Sequence, residues 1–367
     1  MSLTPVGSLP TSVAELARRV EVRLDQLLAP ELERWAAVDP ELRRPLSTLR
    51  STVLAGGKRL RPAFCYWSFV GFGGDPDAQA VIDAGAALEM LHAAALLHDD
   101  VIDGSARRHG TDTVHIQYAA LHREGAWRGD SDRFGAGVAI LLGDLALVYS
   151  DRLLAGAPPE AIEVFNEVRL EVNVGQYLDI LGGADRPRPA GGGKAREAEA
   201  RARRICRYKT AKYTIERPLH LGAALASPER LVDVAEALSS FGLPLGEAFQ
   251  LRDDLLGVFG DPSVTGKPVG DDLREGKPTL LATLARAQVT GPSSRMFEER
   301  FGSPDLSESE VLELRAVIED TGAREQVEAA IERLAAAAAV ALDALPVLSE
   351  ARHTLGALAA FVTERDH

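Results

Sequence analysis

Aromatic side chains are scarce in this chain: Phe, Trp and Tyr together make up 5% of 367 residues. Strands draw on aromatic and β-branched residues, whereas the Ala and Leu behind much of the 46% hydrophobic content favour helices. No stretch alternates with period two between hairpin turns, so a β fold is excluded and an all-α fold is expected. Cysteine is scarcer still. Cys65 and Cys206 lie far apart in no metal-ligand spacing, which excludes a disulfide framework and reads as reduced core thiols of a cytoplasmic protein. A basic excess is missing too: 41 Lys and Arg against 54 Asp and Glu give a net charge of −13, which argues against a nucleic-acid partner. Long uninterrupted apolar runs are absent, each being broken by charge before about 18 residues, and no charged-then-apolar signal opens the chain. The expectation is a soluble protein without integral membrane association. An acidic chain can still bind an anion where metal ions and a few placed Lys or Arg reverse the local field.

What is present is a succession of helical patterns, long enough to bury a substantial core. Residues 1–11 read as a loose tail, and residues 12–367 as one helical domain. Ser12 would cap the first helix with Glu15 closing a capping box, and a second helix near 46–54 would stop at Gly56-Gly57. Residues 127–134 read as a polar loop, 137–154 as a buried helix interrupted by Asp144, and 160–181 as a further helix carrying Gln176 and Asp179. The Gly- and Pro-rich stretch at 182–197 reads as a flexible insertion within one bundle. The basic run at 194–212 is expected to be mostly a solvated helix face, with Lys209-Thr210 set apart beside Tyr213. Residues 241–259 make a second buried helix, 290–308 an irregular stretch, and an Ala-rich helical pair ends the chain.

The chemistry concentrates at 84–110, AGAALEMLHAAALLHDDVIDGSARRHG. An apolar helical run delivers Asp99, Asp100 and Asp103, and one helical turn puts Asp99 and Asp103 on the same side. Carboxylates ending a buried helix are costly unless paired, metal-bound or at a cavity rim. The helix at 241–259 repeats the device with Asp253 and Asp254. Facing one another across a bundle, the two pairs could hold several Mg2+ ions, which prefer carboxylate, phosphate and water oxygens. Upstream, Gly56-Gly57-Lys58-Arg59-Leu60-Arg61-Pro62 puts cations in a glycine-opened turn, which suits a phosphate or is simply a solvated basic turn. His92, alone in an apolar helix, reads on its own as a hydrogen-bonded core residue.

Taken in order, GGKRLRP at 56–62, DDVID at 99–103, RR at 107–108, KT at 209–210, FQLRDDLLGVFGD at 249–261 and the lysines at 267 and 277 resemble the trans-isoprenyl diphosphate synthases, the polyprenyl synthetase family. The resemblance spans roughly residues 50–285. It implies a single helical bundle, a homodimer, and condensation of isopentenyl diphosphate with an allylic diphosphate. It also implies that Asp99 and Asp103 hold two Mg2+ ions and Asp253 a third, with Asp100 supporting them. Arg107, Lys209, Lys267 and Lys277 would contact the allylic diphosphate, and Lys58, Arg61, His92 and Arg108 that of isopentenyl diphosphate. The Thr210 carbonyl and the Gln250 amide oxygen would face the allylic cation. Asp144, Gln176 and Asp179 could line the same cavity but read better as structural hydrogen-bonding groups. One departure stands out: Gly257 replaces the last carboxylate of the usual DDxxD in the second motif.

In this family the product grows along the helix preceding the first motif, and an aromatic residue just upstream closes the tunnel in short-product members. Here Ala95 and Ala94 leave that level open, with Leu91 and Leu88 the next candidates for a floor. The expected product is geranylgeranyl diphosphate, with a longer polyprenyl chain as runner-up. A class I terpene cyclase shares the fold and the acidic motif but has no use for GGKRLRP and Arg108. A non-catalytic partner subunit would be expected to lose carboxylates from the first motif.

Overall fold

The computed structural model describes residues 11–108, 110–184, 192–260 and 270–364. They are almost wholly helical, as the composition requires. The exception is a hairpin of two-residue strands, β1 (Arg107–Arg108) and β2 (Thr111–Asp112), in which Arg107 pairs with Asp112 and Arg108 with Thr111. Contacts divide the chain into two compact units, one of residues 10–162 with 221–229, the other of 163–220 with 230–367.

The first unit contains α1 (Thr11–Ala36), α2 (Arg43–Leu54), α3 (Leu60–Gly71), α4 (Gln79–Ile102), α5 (Val114–Glu124) and α6 (Ser131–Leu153). On α1, Val13, Leu16, Val20, Leu24 and Leu28 recur every three or four residues and are all buried. Each such side chain contributes roughly 1.5–3 kcal/mol by leaving water. At the centre stands α4, packed against α1, α3 and α6. Its Ala and Gly positions let neighbours approach: a Cβ on Gly85 would lie 3.2 Å from both Pro62 and Val20 side chains. Ser12 lies inside α1 rather than capping it, because the helix begins at Thr11. The expected loop at 127–134 ends early. The Asp130 side chain accepts from the Arg133 N–H at 2.7 Å and starts α6 at Ser131.

Two helices bridge the residue ranges of the units, α7 (Pro159–Ala184) and, after α8 (Gly192–Ile205) and a π-helical segment (Cys206–Glu216), α9 (Arg217–Ala226). The expected flexible insertion at 182–197 is helical at both ends, where α7 and α8 cover it, and 185–191 lie outside the described residues.

The second unit is built on α10 (Leu231–Phe259), which packs against the π segment and the C-terminal helices. Those following it are α11 (Asp271–Glu275), α12 (Leu280–Gln288), α13 (Gly291–Arg300), α14 (Glu308–Asp320), α15 (Ala323–Ala344) and α16 (Ser349–Thr363). Leu251, Leu255, Leu281, Phe297, Leu314 and Ile331 share its core. The stretch expected to be irregular at 290–308 holds α13. Pro292 sits in the first turn, where a missing N–H is harmless, and the fully buried Phe297 anchors the helix.

By length and composition α4 and α6 could each cross a membrane. The most apolar window of α4 is 72% buried in the protein, and that of α6 only 39%. Ile140, Leu141 and Val148 of α6 are exposed.

Candidate active site

In the first unit, the last turn of α4 presents Asp99 and Asp103 half-buried while turning Asp100 inward. The β1–β2 hairpin folds back so that Arg108 reaches Asp100: Nε donates to Oδ1 at 2.8 Å and Nη2 lies 2.6 Å from it. The same guanidinium is 3.7 Å from Asp99 Oδ2. Burial pushes the Asp100 carboxyl up from its ordinary pKa, and the Arg108 charge opposes that rise. Asp100 therefore serves as the base on which Arg108 is seated. Arg107 is exposed and donates to the Gly110 carbonyl at 2.6 Å. Asp144 is exposed on α6, 3.6 Å from the His98 ring.

The cationic turn before α3 divides its residues by role. Gly56 and Gly57 adopt φ of +90° and +140°, and Arg59 itself is left-handed at +46°. Lys58 is exposed and Arg61 half-buried in the first turn of α3, where unsatisfied helix N–H groups favour an anion. Arg59, indistinguishable from its neighbours in sequence, is buried. It pairs with Glu89 of α4 and donates to the Val53 carbonyl at 2.9 Å. Glu89 was the available signal, since a carboxylate inside an apolar helix demands a partner. His92, half-buried, lies three residues further along α4.

Relative to Asp99, a helix of about 100° per residue places His92 and Leu88 within about 20° of the same line and Ala95 within about 40°. Leu91 falls about 80° away and Ala94 about 140° away, on a different side. Ala95 and His92 are half-buried, while Leu88, Leu91 and Ala94 are buried.

In the second unit a pocket is lined by Asp179, Lys209, Thr210, Gln250, Asp254 and Lys277. Lys209 Nζ meets Asp179 Oδ2 at 2.5 Å, which brings Asp179 of α7 into the constellation as the seat of the lysine. Gln250 Nε2 donates to Asp254 Oδ1 at 2.7 Å, turning the amide oxygen away from that carboxyl. Lys277 pairs with Glu275 at 2.7 Å and lies 3.7 Å from Asp272. Gln176 is half-buried one turn before Asp179, Asp253 is exposed on α10, and Lys267 lies outside the described residues. The segment bearing Lys209 and Thr210 is wound as a π-helix, a geometry concentrated at functional sites.

That segment is clamped between two glycines that the sequence did not single out. A Cβ on Gly175 of α7 would lie 2.4 Å from the Lys209 nitrogen, and one on Gly246 of α10 would lie 2.6 Å from the Ala211 Cα. Glycine weakens a helix interior, so its presence there is the signal that a backbone approaches.

Asp254 is buried, and desolvation together with the Asp272 and Asp253 carboxylates pushes its pKa up to about 8. Mutually repelling carboxylates of this kind are what a divalent cation relieves, and Asp99 with Asp103 offers the same hard oxygen donors. Among the described residues no group of three His, Cys, Asp or Glu side chains is arranged to hold an ion unaided. Mg2+ is characteristically bound by one or two carboxylates with phosphate and water completing its shell. The residues fit such an ion shared with a diphosphate.

Comparison with known proteins shows the family. The polyprenyl synthetase family model matches residues 43–318. The chain is similar to the crystal structure of geranylgeranyl pyrophosphate synthase from Corynebacterium glutamicum complexed with isoprenyl diphosphate and magnesium. They share 39% identity with a TM-score of 0.86, covering 96% of this chain and 99% of that one. It is 33% identical over 359 residues to geranylgeranyl diphosphate synthase of Mycobacterium tuberculosis, covering 93% of this chain and 92% of that protein. It is 29% identical over 332 residues to nonaprenyl diphosphate synthase of the same organism, covering 89% of this chain and 90% of that protein. The chain belongs to the polyprenyl synthetase family and is a prenyltransferase that builds trans-prenyl diphosphates by condensation.

Proposed function

We propose that this enzyme makes geranylgeranyl diphosphate from isopentenyl diphosphate and an allylic diphosphate with Mg2+. The observation that carries the product length is Ala95, which lies near the line of Asp99 one turn below it and bears only a methyl group. Leu88, about 16 Å below Asp99 along the helix, supplies bulk near the same line. The similarity to two geranylgeranyl diphosphate synthases supports this reading, while the nonaprenyl relative keeps a longer chain as the alternative.

Mg2+, when bound, would supply positive charge to the departing diphosphate and so ease ionisation of the allylic C–O bond. Asp99, Asp103 and Asp253 would hold the ions. Lys209, steadied by Asp179, and Lys277 bind the allylic diphosphate, with Arg107 and Lys267 assisting. The Thr210 carbonyl and the Gln250 oxygen present partial negative charge to the allylic cation without offering a nucleophile. Lys58, Arg61, His92 and Arg108 hold isopentenyl diphosphate for attack, and the released diphosphate takes the proton lost from the adduct. The apolar side chains exposed on α6, and Leu170, Val174 and Tyr177 exposed on α7, support a homodimer. A single-chain mass by light scattering would contradict that assembly.

The test is incubation with both diphosphates and Mg2+, with products sized by mass spectrometry. Geranylgeranyl diphosphate is expected, and Ala95→Phe should shift the product to farnesyl diphosphate by closing the chain's path. An unchanged product from that variant would remove Ala95 as the determinant, and a cyclised hydrocarbon formed without isopentenyl diphosphate would select the cyclase reading.

Arg59 gives a second expected result. Arg59→Met strands the Glu89 carboxylate and should cost about 3–5 kcal/mol of stability. Arg59→Lys, keeping a charge but losing the bond to Val53, should raise KM for isopentenyl diphosphate severalfold and leave kcat near wild type. Equal changes in both constants would mean that the turn does not position this substrate.

A further inference from the structure

Lys209 and Thr210 belong to a π segment pressed by glycines at three points. Besides Gly175 and Gly246, which meet it at Lys209 and Ala211, a Cβ on Gly242 of α10 would lie 2.9 Å from the Glu216 Cα. Steric contact resists approach but not withdrawal or rotation, so attraction must come from elsewhere. Ion pairs with α7 supply it. Glu171, Gly175 and Asp179 recur every four residues along α7, one turn to either side of the glycine. Asp179 takes the Lys209 ammonium at 2.5 Å and Glu171 takes that of Lys212 at 2.6 Å, so the two lysines leave the segment toward opposite ends of α7. Among the described residues, Lys209 and Thr210 line the pocket and Lys212 does not. Lys209 is a poor fixed anchor, because the same ammonium has to meet the allylic diphosphate. We infer that Glu171 is a positioning residue: by gripping Lys212 and Arg217 it sets the rotation of the π segment that aims the Lys209 ammonium and the Thr210 carbonyl into the pocket. This rests on the assignment of Lys209 and Thr210 to the allylic substrate given above.

The grip is close and shielded from water. Arg217 donates to Glu171 as a fork, Nε to Oε2 and Nη2 to Oε1, each at 2.6 Å, while Lys212 Nζ shares Oε1. The Glu171 and Lys212 side chains are each 13% exposed. Burial raises the Glu171 pKa, but hydrogen bonds and charge from Arg217 and Lys212 outweigh it and hold the carboxyl below its ordinary value. Both cations are held from behind as well. Lys212 Nζ lies 3.4 Å from Glu216 Oε2, and the other oxygen of Glu216 accepts from the Ser239 hydroxyl of α10 at 2.6 Å. Arg217 Nη1 donates to His220 Nδ1 at 3.2 Å, and Nε2 of that ring donates to the Ala235 carbonyl at 3.1 Å. Burial pushes the His220 pKa down to about 4, which keeps the ring neutral beside the guanidinium. One carboxylate of α7 thus ties the π segment and the start of α9 into a network that ends on α10. A rotation of the segment would draw Lys212 away from Glu171 and weaken the pairing of a buried ammonium, which opposes the rotation.

The experiment is steady-state kinetics of the full chain with geranyl diphosphate, isopentenyl diphosphate and Mg2+, run well below each variant's melting transition. Lys212→Met keeps the reach of the side chain and leaves Glu171 paired with Arg217. It should raise KM for geranyl diphosphate about 10-fold and lower kcat by about 10–100-fold, with KM for isopentenyl diphosphate within about twofold of wild type. Glu171→Gln should show the same pattern, enlarged, and if it does not fold Lys212→Met decides. Lys212→Arg restores the charge and should bring the allylic KM back to within about threefold of wild type. A wild-type allylic KM in Lys212→Met overturns the inference even if kcat falls, because loss of folded protein lowers kcat without moving KM. So does a parallel rise in both KM values, the mark of general loosening. The route through Lys209 is read in a Lys209→Ala background by calorimetric titration of geranyl diphosphate with MgCl2, which needs no turnover. There Lys212→Met should no longer change the affinity, and an effect that persists overturns the inference. Wild-type affinity in Lys209→Ala alone would instead overturn the assignment of Lys209, and the inference with it.

Discussion

Asp99→Asn should lower the rate of chain elongation by at least about 100-fold while leaving the melting transition nearly unchanged. The asymmetry follows from the division of labour within the DDVID turn. Asp100 is the carboxylate that the fold uses, buried and bound to Arg108, whereas Asp99 and Asp103 are half-buried. Removing the charge at 99 therefore spares the packing of α4 and removes an ion-binding oxygen. Raising Mg2+ should restore part of the activity, since the loss is one of metal affinity. Steady-state turnover as a function of MgCl2 measures this. Wild-type turnover at low Mg2+ would remove Asp99 from the ion-binding set. Asp100→Asn should behave differently, losing stability as well as activity, because it weakens the seat of Arg108.

Gly175→Ala is expected to damage the enzyme from a position that touches no substrate. Its Cβ would lie 2.4 Å from the Lys209 nitrogen, 2.6 Å from the Tyr208 carbonyl carbon and 2.7 Å from the Lys209 Cα, all backbone atoms. Backbone between packed helices cannot give by the ångström or so required, so overpacking should cost about 1–3 kcal/mol. The relief available is a shift of the π segment, which carries Lys209 and Thr210 with it, and a displacement of about 1 Å can cost roughly 100-fold in rate. The control lies on the same helix. A Cβ on Gly183 would meet nothing within 4 Å, so Gly183→Ala should be neutral or stabilise by up to about 1 kcal/mol through helix propensity. Melts and kcat for the pair decide the matter. Equal behaviour of the two variants would mean that the contact at Gly175 is not tight in solution.

How far the site is legible in the sequence depends on where its information lies along the chain. Asp99 and Asp103 are readable because one turn of a single helix relates them, and the order of the basic and acidic motifs carries the family resemblance. Arg59 is not, because Lys58, Arg59 and Arg61 are chemically alike in sequence and only Glu89, thirty residues on, separates the buried cation from the others. Asp179 reads as structural until the fold sets it against Lys209. The stretch 290–308 reads as irregular because Gly-Pro-Ser-Ser resembles a turn, while the buried Phe297 that organises α13 packs into a core supplied largely by other helices.

By itself the sequence determined the all-helical class, the two acidic turns and the glycine-opened basic turn, because helix propensity and periodicity act over a few residues. Only the tertiary structure decided that Gly175 and Gly246 clamp the π segment, that Arg59 is the buried cation of its turn, and that the Asp272 carboxylate lies beside Gly257. These depend on which side chain another element brings to a given face. Periodicity names the face but not its occupant.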